Sequence, residues 1–335
     1  MSHFPVLGGR ASGWMLSIVV PLYNEEAVLP VLHRRLAAVL QSLPERTEIV
    51  FVDDGSTDRS AQVLAQLRLR DSCVSVLRFS RNFGKEQAMA AGLKFARGEA
   101  VVVMDADLQH PPEMIPAMVQ AWRAGADMVN MRRRSRDDES PARRIAARLF
   151  YRTVNRLSDI PIPEDVGDFR LLSRRAVDAL NQLPEHNRFM KGLFAWVGFN
   201  QQTLEFDVAE RAGGQSKWRP RQLWRLAVEG ITAFSVSPLR LATKAGLLSA
   251  LAALCSGLYF FIRTLFFGDP VAGFPTLIVV VLMLGGLQLL AIGVLGEYLG
   301  RLWIESKQRP LFIVESYEPA TAQVMRAAEL MAMAH

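Results

Sequence analysis

The first third of the chain alternates short, nearly continuous apolar runs with amphipathic stretches. Met15 to Leu22 reads MLSIVVPL, a β-branched run closed by proline, and predicts a buried strand. A helical pattern opens at Asn24-Glu25-Glu26 and runs to about Leu43. Glu48 to Val52 (EIVFV) predicts a second strand, residues 59–70 a helix, and Val74 to Phe79 a third strand. Glu86 to Arg97 predicts a helix, and Ala100 to Met104 (AVVVM) a fourth strand running straight into Asp105. This rhythm predicts an α/β fold, a Rossmann-like, mostly parallel sheet with helices on both faces. In such sheets functional residues gather beyond the carboxyl ends of the strands. The loops 21–26, 53–58 and 105–112 all fall at such ends.

The pattern then changes. Asp127 to Val129 predicts a further strand, whereas Arg132 to Ser140 (RRRSRDDES) has no apolar period and reads as a loop. Residues 142–158 predict a basic helix, and residues 203–209 a strand. Residues 219–240 mix tryptophans and arginines in a helical pattern, which suits the membrane interface. An ordinary surface helix is the alternative. Ala245 to Ile262 and Pro275 to Gly296 carry no charge. At about 1.5 Å per residue each approaches the bilayer core of about 30 Å, which predicts a hairpin of two transmembrane helices. Two buried core helices are the alternative. Arg240 and Lys244 flank one end and Arg301, Lys307 and Arg309 the other, so both ends are expected in the cytoplasm. Arg263 falls at the far side, where its long stem lets it snorkel.

Composition sharpens this division. Half of the 335 residues are hydrophobic, concentrated in residues 236–300. The formal net charge is +6, with basic clusters at residues 132–156 and 211–244. That placement suits an anionic membrane surface or a phosphorylated substrate. No nucleic-acid-binding motif accompanies it, so nucleic acid is not expected as a partner. Cys73 and Cys255 are expected to be reduced apolar side chains. The first fourteen residues lack the apolar core of a signal peptide, so the N-terminal domain is expected to stay cytoplasmic.

The loops carry the candidate chemistry. In Asp105-Ala106-Asp107 two carboxylates at the mouth of a buried strand repel each other unless a cation lies between them. Mg²⁺ or Mn²⁺ takes a few carboxylates plus substrate phosphate oxygens, so this triplet suits a metal–diphosphate site. A solvated acidic cap reads the same in isolation. Gln109 and His110 follow closely enough to add ligands or to orient them. Asp53 and Asp54 suit either a base or ribose contact or the capping of the next helix. Tyr23 could stack on a flat base and Glu25 could take a ribose contact, though Pro21 to Glu25 alone would read as a turn. Arg211 and Lys217 bracket Gly213 and Gly214 and suit closure over a diphosphate; a solvated basic loop is the alternative.

In order along the chain, VVPLYNEE (19–26), VDDGSTD (52–58), RNFGKEQA (81–88), DADLQHPP (105–112), GDFRLLSRRAV (167–177) and RAGGQSKW (211–218) resemble the family-2 glycosyltransferases with the GT-A fold. The likeness spans residues 15–315. It is strongest to the polyprenyl-phosphate branch that includes dolichol-phosphate-mannose synthase, the aminoarabinose transferase of lipid A modification and, above all, bactoprenol glucosyltransferase. FMKGLFAWVG (189–198) and LGEYLGRLW (295–303) add to it. The resemblance implies a tail (1–14), a cytoplasmic catalytic domain (15–218), a juxtamembrane amphipathic helix (219–240), a two-helix hairpin (241–300) and a cytoplasmic tail (301–335). It implies that Pro21, Tyr23, Glu25, Asp53 and Asp54 hold the base and ribose, and that Asp105 and Ala106 touch the nucleotide sugar. Asp105 and Asp107 would hold Mg²⁺ or Mn²⁺ with Gln109 helping, and Arg211 and Lys217 would grip the diphosphate. Asp168 lies where the family places its candidate catalytic base, and Arg132, Arg134 and Arg170 lie near the lipid-phosphate acceptor.

The activity implied is inverting transfer of a hexose, glucose from UDP-glucose, to undecaprenyl phosphate at the cytoplasmic membrane, by a homotetramer. N-acetylglucosamine, mannose or aminoarabinose are alternative donor sugars. A processive polysaccharide synthase would carry Q-x-x-R-W, and the nearest text, Gln222-Leu223-Trp224-Arg225, has the wrong order. A non-catalytic nucleotide-sugar-binding membrane protein would not need the intact acidic and basic positions. Asp168 has a restricted task in this chemistry. A phosphate monoester is already dianionic above its second pKa of about 6. Asp168 is therefore expected to orient a substrate rather than to remove a proton, through Arg170 or Arg188.

Overall fold

In the computed structural model, residues 15–134, 166–185, 188, 190–207, 237–267 and 273–320 are described. Arg211, Lys217, the basic helix expected at 142–158 and most of the juxtamembrane helix lie outside them. The chain divides into two compact units, the first comprising residues 1–151, 160–220 and 310–335, the second residues 152–159 and 221–309.

In the first unit, β1 (Met15–Leu22), β2 (Arg46–Asp53), β3 (Val74–Phe79) and β4 (Ala100–Val103) form the parallel centre of an eight-stranded sheet. β5 (Met128–Arg133), β6 (Val166–Ser173), β7 (Gln201–Phe206) and β8 (Val314–Glu318) complete it in the order β7-β5-β6-β4-β1-β2-β3-β8. β1 pairs in parallel with both β2 and β4, and β6 runs antiparallel between β4 and β5. From Leu16 onward every residue of β1 is buried, as expected of a strand covered on both faces.

The pleat sends alternate side chains to opposite faces. Leu16, Ile18 and Val20 join Ile49, Phe51 and Val102 on one face, against Leu29, Leu32 and Leu36 of α1 (Leu29–Gln41) and Leu64 of α2 (Ser60–Arg70). α4 (Ile115–Arg123) closes the same layer with Ile115, Met118 and Trp122. α3 (Lys85–Phe95) covers β1 and β2 from the other side. Its approach is close, because a Cβ on Gly92 would lie 2.2 Å from a Val19 methyl. α5 (Arg174–Gln182) packs on α3, and α6 (Met190–Trp196) follows it in the chain.

Three boundaries differ from expectation. α1 begins at Leu29 rather than Asn24, because Asn24 adopts a left-handed conformation (φ 56°) and its side chain bonds the next loop. The strand expected to end by Val129 continues through Arg133, carried by ladder pairing with β6 and β7. Within the segment expected as a C-terminal tail, Val314–Glu318 forms β8, antiparallel to β3. Phe312 stacks on Phe79 at 5.0 Å and Arg68 pairs with Glu318 at 3.0 Å, so side chains as well as ladder bonds seat this strand.

The second unit contains two long helices that pack on each other, α7 (Ser237–Phe267) and α8 (Phe274–Ser306). Large apolar side chains are exposed along both, among them Leu247, Leu254, Phe266, Met283 and Leu289. Among the described residues one stretch, Met283–Ser306, is long and apolar enough to cross a membrane. The first expected span is not matched in this way: the apolar segment in α7 is shorter, Ala242–Ser256, with Lys244 inside it and Arg263 beyond it.

Candidate active site

β1 has β2 on one side and β4 on the other, so the helical connections diverge at the carboxyl ends of these strands. Open α/β sheets bind ligands at that point. A cleft of about 390 Å³ opens there. Pro21, Tyr23, Glu25, Asp54, Asp105, Ala106 and Asp107 line it, as the sequence predicts. Asn82, Gly84 and Lys85, from the loop between β3 and α3, line it as well.

The loops are fastened to one another. Asn24 Oδ1 accepts from the Thr57 amide at 2.8 Å, while Ser56 Oγ accepts from the Asn24 amide at 2.9 Å. Ser60 Oγ accepts from the Glu25 amide at 2.9 Å. Asp54 then fastens the third loop, accepting from the Phe83 amide at 2.7 Å and the Gly84 amide at 2.9 Å. Burial raises the Asp54 carboxyl above its ordinary value in spite of these two amides.

The acidic triplet is held from beneath. The Asp105 amide donates to His110 Nδ1 at 3.0 Å, and the His110 ring stacks on Phe169 at 5.0 Å. Burial lowers the His110 pKa, so the ring is neutral at pH 7 with its proton on Nε2. The Gln109 amide donates to Asp107 Oδ1 at 3.1 Å, across a left-handed Leu108 (φ 63°). His110 is therefore a support for the loop.

Lys85 and Asp168 occupy the floor. Lys85 Nζ donates to Asp168 Oδ2 at 2.6 Å and lies 2.6 Å from Asp105 Oδ1. Its stem is exposed, but its ammonium is enclosed between the two carboxylates. Burial alone would lower its pKa; the charges of Asp105 and Asp168 more than offset this and hold it above the usual lysine range. Burial alone would raise Asp168; Lys85, Lys191 and Arg170 hold it well below the usual carboxylate range. Behind it, Glu86 accepts from the Met190 amide at 2.9 Å, and burial together with the Asp168 charge pushes its carboxyl up to about 7.

Several predicted residues are placed elsewhere. Asp53 is fully buried at the end of β2, and its Oδ1 accepts from the Ser56 amide at 2.8 Å. It closes the turn after β2 and does not cap α2, whose N-cap is Arg59; neighbours on an extended chain point opposite ways, and of the two only Asp54 lines the cleft. The same alternation divides the arginines of β5. Arg132 pairs with Glu205, and Arg134 with Asp207 at 3.1 Å, both on β7 or just beyond it. Arg133 donates to Gln109 Oε1 at 3.2 Å, so that oxygen is engaged by an arginine.

Arg170 is 3% exposed, donates to the Gly167 carbonyl at 2.7 Å and lies 3.8 Å over the Phe194 ring. Burial draws its pKa down to about 10. A guanidinium so enclosed braces the start of β6 around Asp168 and is not placed to meet a lipid headgroup. Arg188 donates to the Leu183 and Glu185 carbonyls. Lys85, which lines the cleft, and Glu86 and Arg133, which adjoin Asp168 and Gln109, are candidate positions that the loop motifs did not single out. RNFGKE follows the third parallel strand, so the rule that picked out three loops also pointed to this fourth one.

A family model described as glycosyl transferase family 2 matches residues 17–180, and one described as the GtrB C-terminal hairpin matches residues 237–302. The bactoprenol glucosyl transferase of Shigella phage SfV is 46% identical over 301 residues, 90% of this chain and 98% of that protein. The chain belongs to glycosyltransferase family 2. A prophage bactoprenol glucosyl transferase homolog of Escherichia coli (strain K12) is 44% identical over 300 residues, 90% of this chain and 98% of its own. Among solved structures, Mycobacterium tuberculosis glucosyl-3-phosphoglycerate synthase in complex with Mn²⁺, UDP and glucosyl-3-phosphoglycerate aligns at 20% identity over 69% of this chain and 84% of that one, with a TM-score of 0.45.

In this glycosyltransferase the donor set fits a hard divalent cation shared with substrate. Asp105 and Asp107 offer carboxylate oxygens on the cleft wall, and an ammonium already stands against one of them. Among the described residues no group of three or more His, Cys, Asp or Glu side chains forms a closed metal cage. Two carboxylates leave coordination positions for phosphate oxygens and water, as Mg²⁺ and Mn²⁺ sites in nucleotide enzymes do.

Proposed function

We propose that this glycosyltransferase moves a hexose, glucose from UDP-glucose, to undecaprenyl or a related polyprenyl phosphate, with inversion at the anomeric carbon. The observation that carries the reading is near-full-length similarity to bactoprenol glucosyl transferases, combined with a cleft lined by Asp54, Asp105 and Asp107 at the strand ends. Tyr23, at the rim and 42% exposed, offers a face for the base, and Pro21, Glu25 and Asp54 surround the ribose. Asp105 and Asp107 would hold Mg²⁺ or Mn²⁺, whose positive charge would stabilise the leaving diphosphate. Arg211 and Lys217 close on the diphosphate from the segment beyond β7.

An oxygen of the lipid phosphate forms the new bond to the anomeric carbon as the bond to UDP breaks. That oxygen already carries its negative charge, so no proton need be removed. Asp168 suits this chemistry. A carboxylate held well below its ordinary pKa is a weak base, but it is a fixed negative group able to orient a sugar hydroxyl. Arg133, rather than Arg132 or Arg134, faces the acidic loop and is the cation of β5 placed to assist.

The helical unit anchors the enzyme where the lipid phosphate lies. Its apolar side chains are exposed as bilayer-facing residues would be. Two crossings by the expected hairpin would return the chain to the side from which it entered. With basic residues at both ends of the hairpin, the catalytic unit and both termini belong in the cytoplasm. The assembly we propose is a homotetramer.

The test incubates the solubilised full chain with Mn²⁺ or Mg²⁺ and a panel of nucleotide sugars, with and without undecaprenyl phosphate. Released UDP and the lipid product mass are measured. Lipid-dependent UDP release with UDP-glucose is expected. Binding of UDP-glucose with no lipid-dependent release would sink the enzyme reading, and a different productive donor would correct the sugar.

A further inference from the structure

Lys85 competes for an oxygen the metal needs. Its ammonium lies 2.6 Å from Asp105 Oδ1, and a divalent cation bound by the acidic triplet would use that carboxylate. An ammonium and a divalent ion on one carboxylate repel each other at short range, so each weakens the other's hold. Nζ lies equally close to both carboxylates, 2.6 Å from Asp105 Oδ1 and 2.6 Å from Asp168 Oδ2, so an ammonium displaced from Asp105 still has Asp168 as a partner.

The backbone beneath Lys85 is not free to move with it. Gly84 is tied to Asp54 through its amide, and α3 is seated against β1 at Gly92 without room for a methyl group. Any yielding is confined to the flexible stem of Lys85, 45% of whose side-chain surface is exposed. A divalent ion arriving alone must displace the ammonium. A nucleotide diphosphate changes this balance, because its oxygens complete the metal's coordination and also give the displaced ammonium an anionic neighbour.

We propose that Lys85 is a positioning residue that holds Asp105 in the donor-free enzyme and makes divalent-metal binding conditional on the nucleotide diphosphate. The proposal rests on the metal and donor assignments made above. It also links donor arrival to Asp168, since the same ammonium remains on that carboxylate after leaving Asp105.

The test is Mn²⁺ binding followed by electron paramagnetic resonance on the full chain in detergent, with and without UDP. Wild-type protein is expected to bind Mn²⁺ at least 10-fold more tightly with UDP than without. Lys85→Met is expected to bind Mn²⁺ without UDP at least 10-fold more tightly than wild type, with the UDP effect reduced below 3-fold. Lys85→Arg should retain the wild-type dependence. Lys85→Gln, whose amide can still donate to Asp168, carries the test if the methionine variant does not fold. An unchanged Mn²⁺ affinity in both neutral variants overturns the proposal, as does tight UDP-independent binding in wild type. Asp107→Asn separates the assumptions. If it weakens Mn²⁺ binding while the neutral Lys85 variants do nothing, Lys85 alone is misassigned. If it leaves Mn²⁺ binding unchanged, the metal assignment fails and takes this proposal with it.

Discussion

The Asp54 carboxylate accepts from both the Phe83 and Gly84 amides, at 2.7 and 2.9 Å, and so ties the loop after β2 to the loop that begins α3. Gly55 completes the junction. It has φ +69°, and a Cβ there would lie 2.5 Å from the Arg81 carbonyl carbon. The two loops meet backbone to backbone, and Lys85 is presented to the cleft by their contact.

Gly55→Ala should break this junction. A side chain meets both the left-handed conformation and the Arg81 backbone, a cost above about 2 kcal/mol. The midpoint of thermal unfolding should fall by about 4–8 °C, and KM for the nucleotide sugar should rise. An unchanged melting temperature would show that the loops separate freely.

Asp168→Asn should lose turnover by about 100-fold or more while still binding UDP. Asp168 is ionised throughout the physiological range, because Lys85, Lys191 and Arg170 outweigh the effect of burial. The wild-type rate should therefore show no rise between pH 5 and 8 that vanishes in the variant. Raising the pH should restore nothing. A single ionisation near neutrality, present only in wild type, would reinstate Asp168 as a general base.

Glu86 makes a prediction about stability. Its folded pKa, pushed up to about 7 by burial, exceeds its ordinary value of 4.5. The contribution of this carboxyl is fully present below about 4.5 and is lost as pH rises through about 7. Relative to Glu86→Gln, wild-type protein should lose on the order of 2 kcal/mol across that window. Denaturant unfolding of both proteins at pH 4.5 and 8 measures the difference, and parallel pH profiles would refute it.

Adjacent arginines of β5 should behave differently. Arg133→Ala should weaken binding of Mn²⁺ with UDP by several-fold, since Arg133 holds Gln109 beside Asp107. Arg132→Ala removes an exposed pair with Glu205, and water screens such pairs. Its metal and donor affinity should stay within about 3-fold of wild type. Equal effects at the two positions would contradict the side-chain alternation seen in β5.

The chain's periodicities carried the α/β architecture, the four parallel strands and the three acidic or polar loops at their ends. These are local properties: an apolar run of strand length, a proline that closes it, a change of period. They were enough to bring Pro21, Tyr23, Glu25, Asp54 and the Asp105 triplet to one cleft. Tertiary structure alone decided between neighbours. Asp53 and Asp54 are equivalent in composition, yet the pleat buries one within the turn after β2 and turns the other to the cleft. Arg132 and Arg133 part in the same way. The pairing of β8 with β3 joins residues more than 200 positions apart, and the meeting of Lys85 with Asp168 joins the start of α3 to β6, a strand two places from β1 in the sheet. No local pattern encodes contacts between distant segments; they exist because the sheet order brings those segments together and presents their side chains to one another.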